Sequence, residues 1–415
     1  MKAELERIGR SRRPRFAFAV LAALILAPAG AAVAANGPLG YPCGDMPGKL
    51  PKDETGLLAS LPKATLAGYL DYTIAIKKSP YENFKPKHPA PWKVIHIGNF
   101  VGNDWHTIQI AQFDKTAKAM KAAGLISQFT QVHADASVPV QIQQLRTAIE
   151  QGYDAIVIEP NSATALDPLI DQAFKAGIVV VTQDSPAETI HAINVGGNAV
   201  QYGGTKAEEL VADLGGKGNV LMLSGLPGNP DNALFDQGAH SVFDNCPGIK
   251  VVQTLYTNWD AATAKSMTLQ YLETHVGQKI DGVWDSSGLA MAGIHAFETA
   301  GVPVPAVVNG NPDKGYLAYW EANKDKGFRG GANALPSASG ADAAMRVAMK
   351  VLEGQGLKVS DIPAQIPTLT VKDLKSWVDP SWTPDTPGMT DQTVGKYLSD
   401  AILAPLFDKP APTIP

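Results

Sequence analysis

The amino-acid sequence predicts an α/β protein built on parallel sheets that helices cover on both faces. From Trp92 onward, short β-branched runs alternate with amphipathic stretches, which is typical of parallel strands connected by helices. Polar residues gather where the predicted strands end, and 45% of the 415 residues are hydrophobic. A chain of this size and composition can hold two domains with separate cores, which excludes a fibrous or disordered protein.

Residues 1–35 have the composition of an export signal. An apolar run at 16–26 spans 11 residues, whereas a membrane span needs about 20, so a membrane anchor is not expected. Small residues follow, and we expect cleavage near Ala34 or Ala35 and a periplasmic product. The basic residues before the run are Lys2, Arg7, Arg10, Arg12, Arg13 and Arg15.

Charge and cysteine content narrow the expected partners. Residues 1–35 carry six basic and two acidic side chains, so their removal changes the net charge from −5 to −9. Nucleic acids and anionic membrane surfaces are therefore not expected partners. Cys43 and Cys246 lie in a compartment that permits disulfides. They either pair, tying the N-terminus to a distant part of the fold, or remain separate buried thiols, and the sequence leaves both possibilities open.

Residues 36–91 form an N-terminal extension with nine prolines. Proline fixes φ and removes a hydrogen-bond donor, so most of the segment is expected to be an extended wrapping arm that is accessory to the fold. One helix is predicted within it, over "KATLAGYLDYTIAIKK".

The strands and helices then follow in alternation. The predicted strands are "KVIHIG", "FTQVHA", "DAIVIEP", "IVVVTQD", "AINVG", "GNVLMLSG", "KVVQTLY", "DGVWDSS" and "PAVVNG". The predicted helices between the earlier strands are "HTIQIAQFDKTAKAMKAAG", "PVQIQQLRTAIEQG", "TALDPLIDQAFKAG" and "NAVQYGGTKAEELVADLG".

The loops after these strands are rich in polar side chains. "GNDWH", "EPNS" and "QDS" follow strands of the first half, and "SGLPGNPDN", "YTNWD", "WDSSG" and "NGNPD" follow strands of the second. Open α/β sheets bind ligands outside the carboxyl ends of their strands. Two such sheets facing each other across a cleft would bring all of these loops to one site.

Catalytic, nucleotide and metal motifs are missing from the sequence. There is no G-x-x-x-x-G-K-[ST] or G-x-S-x-G pattern, and the eight histidines lack the spacing of a metal motif. Acid–base work is conceivable for Asp184 and Asp285 at strand ends, but such aspartates equally accept hydrogen bonds from a ligand's hydroxyls. We therefore expect a binding protein without a cofactor, not an enzyme.

From about residue 92 to 358, the succession of loops resembles the type I periplasmic binding proteins, within the sugar-binding cluster typified by ribose-binding protein. "VGNDWHTIQ" is similar to the family's first loop, and "AIVIEPNSATALDPLIDQAFKAGIVVVTQDS" to its helix-strand run. "HAINVGGNAVQYGGTKAEELV" resembles the crossover to the second domain, and "YTNWDAATAKSMTLQYL" and "VVNGNPDKGYLAYWEAN" follow in the family's order.

The resemblance implies two Rossmann-like lobes joined by three crossings, with the proline-rich extension ahead of them. Lobe 1 is expected at 92–197 with 334–360, and lobe 2 at 198–333 with the C-terminal residues 361–415. The hinges are then expected near Asn198, Asn333 and the "GQGLKVS" segment.

The resemblance also implies the ligand contacts: Asn103, Trp105, His106, Asp184, Asn232, Trp259, Ser287, Asn311 and Asn333. Two arginines that the family places beside the ligand are missing, since Ser185 stands after the acidic contact and "PDNALFDQG" has no arginine. An anionic ligand is therefore disfavoured.

We thus expect a monomeric solute-binding protein of a sugar-type ABC importer, which closes two lobes over a neutral sugar or polyol and delivers it to an inner-membrane permease. The alternative is a sensor component that presents a small polar or aromatic molecule to a membrane receptor kinase.

Overall fold

The computed structural model describes residues 43–411, so the predicted export signal at 1–35 lies outside the described residues. Its strands are β1 Trp92–Gly98, β2 Ile126–His133, β3 Ala155–Ile158, β4 Val179–Gln183, β5 Ile193–Gly197, β6 Gly218–Ser224, β7 Ile249–Tyr256, β8 Gly282–Asp285, β9 Val307–Gly310, β10 Arg329–Asn333, β11 Asp361–Ala364 and β12 Thr368–Leu369. Its α-helices are α1 Lys63–Leu66, α2 Asp104–Ala122, α3 Val138–Glu150, α4 Asp167–Lys175, α5 Ala199–Leu214, α6 Pro230–Phe243, α7 Ala261–Thr274, α8 Ala290–Thr299, α9 Lys314–Asn323, α10 Ala338–Leu352, α11 Val371–Trp377 and α12 Asp400–Leu403. Within 43–411, no helix combines the length and the apolar character needed to cross a membrane.

The first sheet contains six parallel strands in the order β11-β5-β4-β3-β1-β2. Successive residues of these strands enter different cores, because side chains alternate between the faces of a sheet. Val94 and Val157 pack with side chains of α2 and α10. Ile95 and Ile156 pack on the other face with side chains of α3 and α4. Burial of both faces explains why the strands are continuous apolar runs.

The second sheet has the order β12-β10-β9-β8-β6-β7, in which only β12 is antiparallel to its neighbour. Leu221 and Val283 pack with side chains of α7 and α8. Met222 and Trp284 pack on the opposite face with side chains of α5 and α6. The predicted α/β class with two parallel-sheet lobes is confirmed.

Three segments connect the two sheets. The link from β5 to α5 passes through Asn198, the link from β10 to α10 through 334–337, and the link from β11 to β12 through 365–367. The sequence interpretation placed 361–364 in lobe 2, but β11 pairs with β5 in the first sheet. The third hinge therefore shifts from the expected 354–360 to 365–367. A buried hydrogen bond of 2.8 Å from Asn194 Nδ2 to Asp361 Oδ1 helps to hold β11 there.

The C-terminal tail contacts both lobes, whereas the sequence interpretation gave it to the second alone. The N–H of Gly388 donates to Asp104 Oδ2 at the start of α2, and its carbonyl accepts from the N–H of Lys314 at the start of α9. Further on, Arg346 of α10 donates to the carbonyl of Leu398 at 2.9 Å. The tail thus runs from lobe 2 back onto lobe 1.

The N-terminal extension also reaches both lobes. Cys43 is bonded to Cys246, which follows α6 in the second lobe, so the two cysteines pair in this structure. The Tyr69 hydroxyl donates to the carbonyl of Asp361 in β11 of the first sheet. The predicted helix in the extension is much shorter than expected, because α1 covers only Lys63–Leu66 and gives way to a 3-10 turn.

Candidate ligand-binding cleft

A small cavity lies between the two lobes, at the carboxyl ends of both sheets. This is the position that ligands occupy in open α/β folds. The residues that line it are Asn99, Phe100, Asn103, Trp105, His106, Glu159, Asp184, Asn229, Asp231, Phe235, Trp259, Ser287 and Leu335.

The loop after β1 supplies one wall of the cavity. Asn103 caps α2, because its Oδ1 accepts the backbone N–H of His106 at 2.9 Å. The same oxygen lies 2.7 Å from His106 Nδ1, so that ring nitrogen carries a hydrogen and donates. The other ring nitrogen, Nε2, is buried without a hydrogen-bond partner and lies 3.4 Å from Glu159 Oε1. The cap therefore orients the imidazole and leaves Nε2 for a ligand.

Trp105 lines the cavity but is also part of the packed interior. Its side chain is 7% exposed and belongs to a core cluster with Tyr202 and Phe235 of the second lobe. Its indole N–H donates to the carbonyl of Leu335 at 3.3 Å. Trp105 therefore packs between the two lobes and also lines the cavity.

Two aspartates from opposite lobes meet the same cavity. Asp184 follows β4 with a φ of 66°, and no described residue donates a hydrogen bond to its carboxylate oxygens. Asp231 lies in the first turn of α6, and its Oδ2 accepts from the hydroxyl of Ser185 at 2.5 Å across the lobe boundary. Burial and the neighbouring carboxylates of Asp231 and Glu159 raise the pKa of Asp184 well above its ordinary value. No lysine or arginine is among the lining residues in the described part of the chain.

Trp259 is the main aromatic surface of the second lobe. Its φ of 54° and that of 56° at Asn258 lie in the left-handed region, which costs roughly 1–3 kcal/mol per residue and is found at ligand clamps. The indole N–H donates to Ser286 Oγ at 3.1 Å, and the ring lies over the backbone of Gly225. The plane of Phe100, from the first lobe, is within 7° of parallel to it, with ring centroids 6.3 Å apart.

Three of the expected ligand contacts do not line the cavity. Asn232 Oδ1 accepts from the N–H of Gly225 at 2.6 Å, which holds the backbone under Trp259. Asn311 Nδ2 donates to the hydroxyl of Ser287 at 2.9 Å and so positions a lining residue. Asn333 Nδ2 donates to Thr205 at 2.6 Å within the second lobe. Each amide is turned towards a protein partner, so these contacts are corrected to supporting positions.

The sequence interpretation missed several lining residues that the structure adds. Glu159 directly follows β3 and was visible only as part of a polar strand-end loop. Asn229 and Asp231 are the N-cap and first turn of α6, where such residues ordinarily serve the helix itself. Phe100 and Phe235 carry no signal that separates them from core aromatic residues.

We expect the unliganded protein to be more stable at about pH 5.5 than at about pH 8. Burial raises the pKa of Asp231 to about 7, although the Ser185 hydroxyl opposes the shift. An unfolded aspartate ionises near pH 4, so between about pH 4 and about pH 7 the folded state holds more protons. The free energy of unfolding therefore falls as pH rises through this window.

The melting temperature measured across this range should fall by several degrees as pH rises. Asp231→Asn removes one of the buried carboxyls that titrate near this window, another being Asp313, whose pKa burial raises to about 7, so the fall should become shallower. A melting temperature that is equally high at both ends in the native protein would contradict the assignment.

Two parallel-sheet lobes that enclose a polar and aromatic cavity at their strand ends define a class of two-lobed small-molecule binding proteins. Residues 94–356 match the family described as periplasmic binding protein domain, and the chain belongs to that family.

Individual relatives agree with this assignment. The chain is 30% identical over 179 residues to a xylitol-binding protein of Mycolicibacterium smegmatis, which covers 42% of this chain and 51% of the relative. It is 26% identical over 176 residues to a ribose import binding protein of Bacillus subtilis, which covers 42% and 56%. The chain thus spans about half the length of these curated relatives. A crystal structure of an ABC transporter solute binding protein from Thermobispora bispora has a TM-score of 0.64 at 30% identity, covering 71% of this chain and 90% of that one.

Proposed function

We propose that this protein is the solute-binding component of a sugar-type ABC importer and that it holds a sugar or polyol in the cavity between its lobes. The observation that carries the proposal is that both lobes contribute aromatic and polar side chains to one cavity at their strand ends. The names of relatives that bind xylitol and import ribose support this ligand class.

The geometry supports reversible ligand binding by closure of the two lobes. An aromatic ring presents its face to the C–H surface of a sugar, while carboxylate and amide groups bind hydroxyls. A ligand that touches Asp184 on one lobe and Trp259 on the other binds the closed form more tightly than the open one, so it shifts the population towards closure. The closed form would then deliver its ligand, as a periplasmic monomer, to a permease in the inner membrane. No covalent step is proposed.

A thermal-shift screen of the purified protein against sugars and polyols tests the proposal. A ligand that binds only the native state raises the melting temperature by an amount that grows with the logarithm of its concentration over its Kd. We expect at least one sugar or polyol to do so, and hits confined to carboxylates or phosphates would contradict the proposed ligand class.

Asp184→Ala should lower the affinity for such a hit at least tenfold, because the variant removes a cavity-facing carboxylate that no protein donor satisfies. Isothermal titration calorimetry measures the change. Asp325→Ala, at an exposed position in a 3-10 turn of the second lobe, is the matched control and should bind normally. Equal affinities in the two variants would place the ligand elsewhere. Trp105 is a poorer probe, since its substitution also removes core packing.

A further inference from the structure

The cavity holds more carboxyl groups than a neutral sugar requires. Glu159, Asp184 and Asp231 approach it from β3, β4 and α6, and no lysine or arginine is among the described lining residues. Glu159 lies 3.4 Å from His106 Nε2. Asp184 and Asp231, in contrast, have no cationic side chain beside them in the described part of the chain. Buried carboxylates without a cationic partner are costly, so either protons or a bound cation must neutralise these two.

The hydrogen-bonding groups of the cavity also favour a cationic ligand. Both carboxylate oxygens of Asp184 lack a protein donor, and no described residue donates to Asp231 Oδ1. His106, which is 5% exposed, presents Nε2 without a hydrogen-bond partner. A neutral hydroxyl brings one hydrogen to such acceptors, whereas an ammonium group brings three hydrogens and a positive charge.

The aromatic walls suit a cation too. Phe100 and Trp259 present nearly parallel rings from opposite lobes, and Phe235 lies edge-on to Trp259 at 6.5 Å between centroids. A cation within about 6 Å of a ring face is attracted by its quadrupole, and aromatic cages recognise organic ammonium groups in this way. A metal ion is a weaker candidate, because nowhere in residues 43–411 do three acidic, histidine or cysteine side chains converge as metal ligands.

We infer that the ligand of this cleft is an amino-substituted sugar or polyol, whose ammonium group lies between the carboxylates of Asp184 and Asp231 and the aromatic rings. This inference rests on the proposed function and refines the neutral ligand expected from the sequence. The sugar or polyol skeleton remains, and one hydroxyl is replaced by an amine.

Matched ligand pairs test the inference by calorimetry at neutral pH. The probes are D-glucose with D-glucosamine, D-galactose with D-galactosamine, and sorbitol with 1-amino-1-deoxysorbitol, each amine accompanied by its N-acetyl derivative. N-acetylation keeps the skeleton and removes the charge. In at least one set, the amine should bind at least tenfold more tightly than both its hydroxyl and its N-acetyl counterparts.

A variant connects that preference to the carboxylates. Asp231→Asn should reduce the affinity for the amine at least tenfold more than it reduces the affinity for the hydroxyl counterpart. Because Asp231→Asn removes a buried charge of like sign to its neighbours and keeps an acceptor for the Ser185 hydroxyl, the melting temperature of the unliganded protein should hold or rise, which shows that the variant is folded.

A pH series adds a readout that packing alone would not change. The ionisable groups that face the cavity are His106, Glu159, Asp184 and Asp231. Affinity for the amine should rise between about pH 5.5 and about pH 7, because burial raises the pKa of Asp231 to about 7 and a cationic ligand favours the ionised carboxylate. Affinity for the hydroxyl counterpart should not rise.

The two levels of the proposal fail differently. If a hydroxyl or N-acetyl member binds as tightly as its amine in every set that binds, the inference is overturned while the proposed function stands. If no member of any set binds but the thermal-shift screen finds another sugar or polyol, the inference is overturned while the proposed function stands. If the screen finds no sugar or polyol either, both are overturned.

Discussion

Replacing Trp259 by alanine is expected to weaken ligand binding about a hundredfold, or about 3 kcal/mol, while the protein stays folded. The indole is the largest lining side chain of the second lobe, and its N–H holds Ser286 beside the cavity. Without the ring, the second lobe loses its largest apolar contact with the ligand. The ligand then binds the closed form little more tightly than the open form. Calorimetry with any ligand found by thermal shift measures the loss.

Gly225→Ala should have a similar effect without touching the tryptophan itself. A Cβ at Gly225 would lie 2.0 Å from Cε2 of Trp259, so the ring has to leave its position. The φ of Gly225 is outside the left-handed region, so alanine does not strain the backbone there.

Trp382→Ala provides the matched control for both substitutions. Trp382 lies in the C-terminal tail, where its ring is 5.8 Å from Lys314 Nζ, and it does not line the cavity. Loss of affinity in the Trp382 variant, or wild-type affinity in both the Trp259 and Gly225 variants, would show that the second-lobe wall has been assigned wrongly.

Removing the disulfide should give the largest loss of stability. The double variant Cys43→Ser with Cys246→Ser is expected to lower the free energy of unfolding by about 4 kcal/mol, because the bond closes a loop across a sequence separation of 203 residues and restricts the unfolded chain. Denaturant unfolding measures the difference, and a reductant should lower the melting temperature of the native protein but not that of the variant.

The same substitution should loosen the start of the extension. Beside the disulfide, this segment is held by the N–H of Met46, which donates to Glu208 Oε1 at 2.7 Å, and by Asp71, which accepts from the N–H groups of Gly48 and Lys49. Hydrogen exchange should therefore quicken around Met46 and remain slow in β1. Unchanged exchange and unchanged stability would mean that the bond does not restrain the chain.

Local pattern predicted the strands well where burial on both faces left an uninterrupted apolar run. "IVVVTQD" became β4 and "DAIVIEP" became β3, each within a residue or two. The sequence interpretation missed β10, β11 and β12, since "RGGAN" lacks an apolar run, "DIPA" contains a proline and β12 has only two residues. Such short strands are defined by their neighbours, and their own sequences do not distinguish them from loops.

Some features of the site's side chains were likewise predictable from the sequence, and others were not. Asn103 and Trp259 follow strands, and both line the cavity. Asn232 also belongs to a strand-end loop, yet its amide bonds to the backbone of Gly225 and supports the wall from behind. A sequence indicates which residues lie in a loop, but it does not indicate the hydrogen-bond partner of each side-chain amide.

The sequence by itself determined the fold class and predicted the edge of the sheets at which the candidate cavity lies. Apolar runs that alternate with helices specify parallel sheets buried on both faces, and parallel strands in one sheet bring their ends to a common edge. The tertiary structure alone decided that Asp231 opposes Asp184 in a cavity without lysine or arginine among its described lining residues, and that the N-terminal extension and the C-terminal tail each contact both lobes. These features depend on distances between residues remote in sequence, which local hydrophobic pattern and turn chemistry do not encode.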